Sequence, residues 1–277
     1  MVYIIRYSEI GTKGKNRKDF EKKLVENLKH HFRNNELNYE KVERIYGRIL
    51  VYCDENKNYK INFKKIFGIS SYSEAAETNA DLDDIKKTLI EFLKNKKFNS
   101  FRISANRIDK EFKLSSLEVE KELGAFVVDN FHKKVSLRDF DLELSVEFYG
   151  KRAFVFTEKI QCFAGLPVGS EGLVYSLIEN KNSILASVLM MKRGCSVIPL
   201  AFKKIDIQKL QEFMPLKREL RIIADFDELD KKFSEVIISG QTIDDFKNFN
   251  RETDFLILRP LIAFEDNEIQ QLEERYA

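Results

Sequence analysis

A change in hydrophobic pattern near residue 165 constrains the fold of this chain more than any other feature. Before it, apolar and polar residues alternate in strand-like segments such as 101–105, and helical stripes lie between these segments. All four prolines lie after it, where short apolar runs separated by helical segments occupy 196–201, 220–224, 236–239 and 255–258. The pattern predicts an α+β part followed by an α/β part with a parallel sheet.

The α+β part contains signals for two small domains. A strand is predicted over 2–7, followed by a helix with an apolar residue at every fourth position from Phe20 to Phe32. A hairpin over 42–53 has Gly47 near its turn.

A second set of elements begins near Asp81 with a helix, and a half-exposed strand follows at 101–105. Ser115 or Ser116 could cap the next helix, which runs to about Phe131. We expect two helices packed on an antiparallel sheet.

Segment 165–172 has three glycines and one proline, and it is the predicted linker to the α/β part. A helix is predicted from Ser183 to Arg193 beyond it. The expected domains are 1–75, 76–165 and 166–277.

Charge is distributed unevenly along the chain. Residues 1–33 hold nine lysines and arginines against four acidic residues, whereas residues 201–277 hold twelve against seventeen. A basic beginning favours a polyanionic partner there. A solvated helix face would give the same charge pattern.

The cysteines, the histidines and the hydropathy of the chain bear on its cellular compartment and on its possible active-site chemistry. The three cysteines form no CxxC pair, which argues against a disulfide framework and a zinc knuckle. The chain lacks an apolar run of about 18 residues, the length that a membrane span needs, and it begins with strand-like residues rather than a signal peptide. We expect a cytoplasmic protein that spans no membrane. The histidines signal no metal or acid–base site, and Cys162 is the thiol whose setting comes nearest to a functional one.

Two basic segments could contact nucleic acid. The sequence GTKGKN at 11–16 lacks the pattern of a nucleotide-binding loop, but its lysines and backbone amides suit RNA phosphates. Arg102, Arg107 and Lys110 follow one strand with phenylalanines interleaved, which is typical of a nucleic-acid face and also of an ordinary charged sheet face.

Five segments resemble segments of the tRNA 4-thiouridine synthetase (tRNA sulfurtransferase) family, and they occur in the same order. YSEIGTKGKNRKDFEKKLVENL at 7–28 is similar to the family's opening, and FRISANRIDKEFKLSSLEVEKELGAFVV at 101–128 to the core of its THUMP domain. TEKIQCFAGLPVGSEG at 157–172 resembles the passage into its pyrophosphatase-loop domain, and LMMKRG at 189–194 and LRPLI at 258–262 resemble later landmarks.

The resemblance implies a ferredoxin-like N-terminal domain, a THUMP domain and a Rossmann-like α/β domain. The first two would bind the acceptor end of tRNA. The third would adenylate a uridine with ATP and Mg²⁺ before a persulfide sulfur replaces the activated oxygen.

Departures from the family pattern lie in the third domain. Where the family has SGGxDS, this chain has Glu179 and Asn180 for the glycines and Asn182 for the aspartate, and only Ser183 is kept. The glycines allow close backbone approach to a pyrophosphate. No cysteine follows Cys195, whereas the family has its sulfur-handling cysteine between the middle strands of this domain. No sulfur-carrier domain is expected after Ala277. This degenerate loop therefore predicts a vestigial nucleotide site.

These observations lead to the hypothesis of a tRNA-binding protein with no catalytic residue, metal or cofactor of its own. The predicted RNA contacts are Arg6, Lys13, Lys15, Arg17, Lys18, Arg102, Arg107 and Lys110. A homodimer and a partner modification enzyme are further expectations.

Two alternatives stay open. One is an active tRNA sulfurtransferase with ATP and Mg²⁺ at an altered nucleotide site around Ser170, Ser183 and Ser239, using Cys162 or a partner's sulfur donor. The other is a purely structural partner of a complete synthetase.

Overall fold

A computed structural model describes residues 1–54, 61–246 and 253–276. The strands are β1 (Val2–Arg6), β2 (Lys41–Ile45), β3 (Arg48–Tyr52), β4 (Ser71–Asn79), β5 (Ser100–Arg107), β6 (Lys134–Val135), β7 (Leu142–Tyr149), β8 (Arg152–Phe156), β9 (Ile160–Gln161), β10 (Leu173–Leu177), β11 (Ser196–Ala201), β12 (Arg221–Ile222), β13 (Val236–Ile238) and β14 (Leu256–Leu258). The helices are α1 (Arg17–Asn34), α2 (Leu82–Leu93), α3 (Ser116–Phe131), α4 (Lys181–Lys192), α5 (Gln208–Gln211), α6 (Ile243–Phe246) and α7 (Asp266–Arg275).

By their contacts the residues form two compact units. The first unit comprises 1–6, 38–60 and 71–161, and the second comprises 7–37, 61–70 and 162–277. This division cuts across the expected domain 1–75, because β1 and α1 belong to different units. The boundaries expected from the sequence stay a prediction.

A nine-stranded sheet forms the first unit, in the order β2-β3-β1-β4-β8-β7-β5-β6 with β9 beside β4. All five residues of β1 are buried, as suits a strand that pairs antiparallel with both β3 and β4. The predicted hairpin is confirmed, because β2 and β3 pair across a turn at Tyr46 and Gly47. Gly47 has a φ of 72°, which glycine adopts without steric cost.

The direction of one strand differs from the prediction. β5 pairs in parallel with β7 and β6, whereas β7, β8 and β4 pair antiparallel. The expectation of a purely antiparallel sheet is therefore wrong. The physical reason is the α3 crossover, which returns the chain to the end of the sheet at which β5 began.

Helices α2 and α3 share one apolar cluster with this sheet. Ile85 and Leu89 of α2 and Val119 and Leu123 of α3 are fully buried, together with Phe148 of β7. Each such side chain contributes about 1.5–3 kcal/mol by leaving water. The helix caps follow the sequence signals: Ser115 caps α3 through a capping box with Glu118.

A parallel five-stranded sheet, in the order β12-β11-β10-β13-β14, forms the centre of the second unit and confirms the α/β prediction. Each predicted apolar run contains a strand, although 220–224 yields only Arg221–Ile222. The central strand β10 is missing from the sequence prediction. It lies directly after the glycine-rich segment and becomes a strand by pairing with both β11 and β13.

Helix α4 packs its apolar side chains into the main cluster of the second unit. Leu185, Val188 and Met191 are buried there with Phe213 and Leu261. None of the helices within 1–54, 61–246 and 253–276 is long and apolar enough to cross a membrane.

Candidate nucleic-acid interface

The basic segment at the start of α1 belongs to the second unit. Two short 3-10 turns, Glu9–Thr12 and Gly14–Asn16, lead into the helix. Lys15 and Lys18 have exposed side chains there. The segment therefore presents ammonium groups to solvent at the start of a helix.

Ion pairs hold two further cations of this segment. Lys13 Nζ lies 3.1 Å from Glu171 Oε1 and 4.5 Å from the centre of the Phe20 ring. Arg17 donates from Nε to Glu21 at 2.9 Å and from Nη2 to the Tyr7 hydroxyl at 2.7 Å. Both cations are therefore held in defined orientations rather than spread over many rotamers.

Tyr7 and Glu21 are site residues that were not predicted, although Glu21 stands four residues after Arg17, the spacing of a helical ion pair. The Tyr7 hydroxyl donates to Glu21 at 2.5 Å. Burial and this carboxylate raise the pKa of Tyr7 to about 12. Tyr7 therefore stays neutral at physiological pH and serves to orient the guanidinium.

Strand β5 and the loop after it carry the basic residues of the first unit. Arg102 donates to Glu143 at 2.8 and 3.1 Å and lies 4.3 Å from the centre of the Phe140 ring. Arg107 donates to the carbonyls of Phe112 and Leu114, at 3.3 and 3.1 Å.

Lys110 is exposed on the loop that Arg107 holds. Asp109 fixes the same loop, because its carboxylate accepts from the backbone N–H groups of Glu111 and Gly150. Arg107 therefore positions the loop, and Lys110 projects from it.

Arg6 is a correction to the predicted contact set. It is 5% exposed, and its guanidinium donates to Glu147 at 2.9 and 3.0 Å and to Ser73 at 2.9 Å. Arg48 also donates to Glu147, at 3.0 Å. A guanidinium inside this cluster cannot reach a phosphate without breaking a buried ion pair, so Arg6 is a structural residue.

The predicted vestigial loop forms the start of α4. Asn180 caps the helix, with its side-chain oxygen accepting from the Ser183 N–H at 3.1 Å. The Ser183 hydroxyl accepts from the backbone N–H groups of Glu179 and Asn180, at 3.1 and 3.3 Å. Three backbone amides with which such a loop could bind a phosphate, those of Glu179, Asn180 and Ser183, are therefore bonded to the chain's own side chains.

The backbone of Gly240 packs against the start of α4. A Cβ atom on Gly240 would lie 2.3 Å from the Ser183 nitrogen and 2.6 Å from the Asn182 carbonyl carbon, so its backbone packs directly on the first turn of α4. Ser183 is 1% exposed as a result. Residues 178–183 contain no positive φ angle of the kind that a glycine turn would show.

The three serines of the alternative nucleotide site do not all come together. Ser183 and Ser239 lie at the edge where β10 and β13 end, and the Ser239 hydroxyl is buried with no hydrogen-bond partner in the described part of the chain. Ser170 lies at the opposite edge, beside Gly194, before β11 begins. Burial raises the pKa of Cys162 to about 12, so its thiol is protonated at neutral pH.

Within residues 1–54, 61–246 and 253–276, no group of three or more His, Cys, Asp or Glu side chains could hold a metal ion. Burial lowers the pKa of His31 to about 4, which leaves this imidazole uncharged at neutral pH.

Two family models match successive parts of the chain. Residues 2–73 match the ThiI ferredoxin-like domain and residues 79–158 match the THUMP domain. A probable tRNA sulfurtransferase of Thermococcus kodakarensis is 37% identical over 207 residues, which are 72% of this chain and 54% of the relative. The chain thus spans little more than half of that relative.

Two solved structures resemble the whole chain. Protein PH1313 from Pyrococcus horikoshii Ot3 is 32% identical with a TM-score of 0.87, over 99% of this chain and 98% of that one. A 4-thiouridine synthetase in complex with RNA and bound ATP is 27% identical with a TM-score of 0.76, over 100% of this chain and 84% of that one.

Proposed function

The chain belongs to the tRNA 4-thiouridine synthetase family, and we propose that it binds tRNA without adenylating it. The observation that carries this proposal is the start of α4. The amides of Glu179, Asn180 and Ser183 are bonded to the side chains of Asn180 and Ser183, and Gly240 lies against the first turn. A triphosphate that used these three amides would have to displace both side chains, and Gly240 occupies the space beside the turn.

Support for tRNA binding comes from the ferredoxin-like and THUMP domains and from the related synthetase that was solved with RNA. The proposed phosphate contacts in the second unit are Lys13, Lys15, Arg17 and Lys18, and those in the first unit are Arg102 and Lys110, with Arg107 as a positioning residue. Arg6 is left out because it is buried. The acceptor end as the bound part of tRNA, a homodimer and a partner modification enzyme stay predictions.

Salt dependence tests the phosphate contacts. With about six contacts, raising the salt concentration from about 50 to 200 mM should weaken tRNA binding roughly 1,000-fold, because each neutralised phosphate releases condensed counterions. Filter binding or fluorescence anisotropy at several salt concentrations gives the slope. A nearly flat plot would refute the contact model.

Substitutions that each remove one positive charge test which residues contribute to the salt dependence of tRNA binding. Lys15→Gln and Lys110→Gln should each weaken binding and reduce the salt slope by about 1. The matched control is Lys204→Gln, which removes one exposed lysine outside the proposed set. Equal losses from Lys15→Gln and Lys204→Gln would indicate a general field effect and would count against a specific surface.

Calorimetry with ATP and Mg²⁺ separates binding from catalysis. We expect no heat of binding at micromolar ATP, because three amides at the start of α4 are already bonded to side chains and Gly240 packs on its first turn. The positive control is tRNA binding by the same preparation, which shows that the protein is folded. Saturable ATP binding that Ser183→Ala abolishes, or thiolation of tRNA by the purified chain, would establish the active sulfurtransferase instead.

A further inference from the structure

A cavity of about 390 Å³ lies in the second unit, far along the sheet from the start of α4. It opens at Gly172 and Leu173, where β10 begins, and at Ser196 and Val197, where β11 begins. Since these strands are parallel, their beginnings share one edge of the sheet and the start of α4 lies at the other. The cavity volume is within the range of small-molecule sites.

One wall of the cavity is a polar face of α1. Lys23, Glu26 and His30 are spaced three and four residues apart, so they lie on the same side of the helix. Lys23 Nζ pairs with Glu26 at 2.8 Å. Gly169 faces this lysine, since a Cβ atom there would lie 3.7 Å from Lys23 Cδ.

Arg218 contributes to another wall of the cavity and brings a second permanent positive charge. Its Nε atom is buried and has no hydrogen-bond partner among the residues that the structure describes. A buried donor without a partner costs about 1–3 kcal/mol. A ligand oxygen would satisfy this donor.

His30 adds a titratable group to the same cavity. Burial and the charge of Arg33 lower its pKa, with Lys23 acting in the same direction and Glu26 opposing it. The imidazole therefore stands among more positive than negative charge. An anion near it would reverse this balance and favour the protonated form.

The remaining lining of the cavity is mostly apolar. Met191, Val197, Met214, Pro215 and Leu216 supply it. Such a surface does not bind an inorganic anion, but it accommodates the flat face of an organic ring. The cavity lining therefore combines three basic side chains with apolar residues.

We propose that this cavity binds a nucleotide, with its phosphate group against Lys23, His30 and Arg218 and its base on the apolar wall. The ligand chemistry is a phosphate ester on a nucleoside, and its source is either a free nucleotide or a nucleotide of bound RNA. The proposal goes beyond tRNA binding through the start of α1 and β5, and it does not use the start of α4.

Proton NMR of the imidazoles tests the proposal on the full chain. The sequence has three histidines, so the His30 signal is assigned from the spectrum of His30→Gln. Adding AMP should shift the His30 signal and raise the His30 pKa. Arg218→Gln and Lys23→Gln should each weaken AMP binding about 10-fold or more, because each removes a charged hydrogen-bond donor.

Two neighbouring lysines provide the controls. Lys22→Gln and Lys217→Gln remove the same charge one position away from each proposed residue, at exposed side chains that do not line the cavity. Both should bind AMP like the parent. Equal weakening by Lys22→Gln and Lys23→Gln would overturn the proposal, since it would reduce the effect to the general charge of α1. If Arg218→Gln does not fold, Lys23→Gln and the shift of His30 in the parent decide the outcome.

The arms of the experiment distinguish the sources of the nucleotide. A His30 shift with AMP identifies a free nucleotide, whereas a shift with tRNA but not with millimolar AMP or inorganic phosphate identifies an RNA nucleotide. A His30 signal that none of these moves overturns the proposal. That result would leave tRNA binding intact if the salt slope and its loss in Lys15→Gln persist, so the two proposals can fail separately.

Discussion

Replacing Glu147 with alanine should lower the free energy of unfolding by about 3–5 kcal/mol, because removal of one partner strands buried charge. The Glu147 side chain is 7% exposed and accepts from both Arg6 and Arg48. Arg6 also lies 4.8 Å from the centre of the Phe156 ring, so water cannot readily replace the lost carboxylate. Urea unfolding followed by circular dichroism measures the change.

Glu143 on the same strand provides the matched control. It pairs with Arg102, but its side chain is 32% exposed, so water replaces the carboxylate when it is lost. Glu143→Ala should cost less than about 1 kcal/mol. A similar loss from both variants would show that the Glu147 cluster is not a buried ion pair in solution.

The ion-pair cluster of Glu147 with Arg6 and Arg48 should also make the stability of the protein depend on pH in acid. Burial alone would raise the pKa of Glu147, but the charges and hydrogen bonds of Arg6 and Arg48 lower it overall. A folded-state pKa below the unfolded value of about 4.3 means that the stabilisation is fully present above that pH. It is lost as the pH falls through the folded-state pKa. Glu147→Gln should therefore show a weaker loss of stability in acid than the parent.

Replacing Gly240 with alanine should destabilise the protein by about 3 kcal/mol, near the upper end of the range for overpacked sites. The added Cβ would lie 2.5 Å from the Ser183 Cα atom and 2.3 Å from its nitrogen, and backbone atoms cannot rotate away. Either the first turn of α4 or the strand end after β13 must move. Thermal and urea unfolding both report this loss.

Gly124 provides the opposite expectation for the same substitution. It lies inside α3, and nothing outside its own helix turn lies within 4 Å of the position of an added Cβ. Gly124→Ala should stabilise the protein by about 0.5–1 kcal/mol through helix propensity. If Gly240→Ala were as well tolerated, the closed start of α4 would be open in solution, and the argument against ATP binding would fail.

Local signals made part of the fold predictable. Ser115 and Glu118 have the spacing of a capping box, and Gly47 marks a tight turn, so the sequence neighbours determine these structures. β10 was not predictable in this way, because pairing with β11 and β13 makes it a strand. The parallel pairing of β5 with β7 likewise depends on the path of α3, which lies between them in the sequence.

The candidate site was predictable only to the level of charge. Lys15, Lys18 and Lys110 are exposed where the basic pattern placed them. Arg6 carries the same charge but is buried, because Glu147 lies 141 residues away in the sequence and beside it in the fold. Burial is a property of such distant pairs, so a count of basic residues cannot separate structural arginines from exposed ones.

The discontinuous second unit has a consequence for synthesis on the ribosome. α1 leaves the ribosome early, yet Asn27 donates to the Val168 carbonyl and Asn34 to the Pro215 carbonyl. At about 5–20 residues per second, these partners are made roughly 7–36 seconds after the helix. During that interval Asn27 and Asn34 lack these hydrogen bonds, so the second unit is completed only when its last third has been translated.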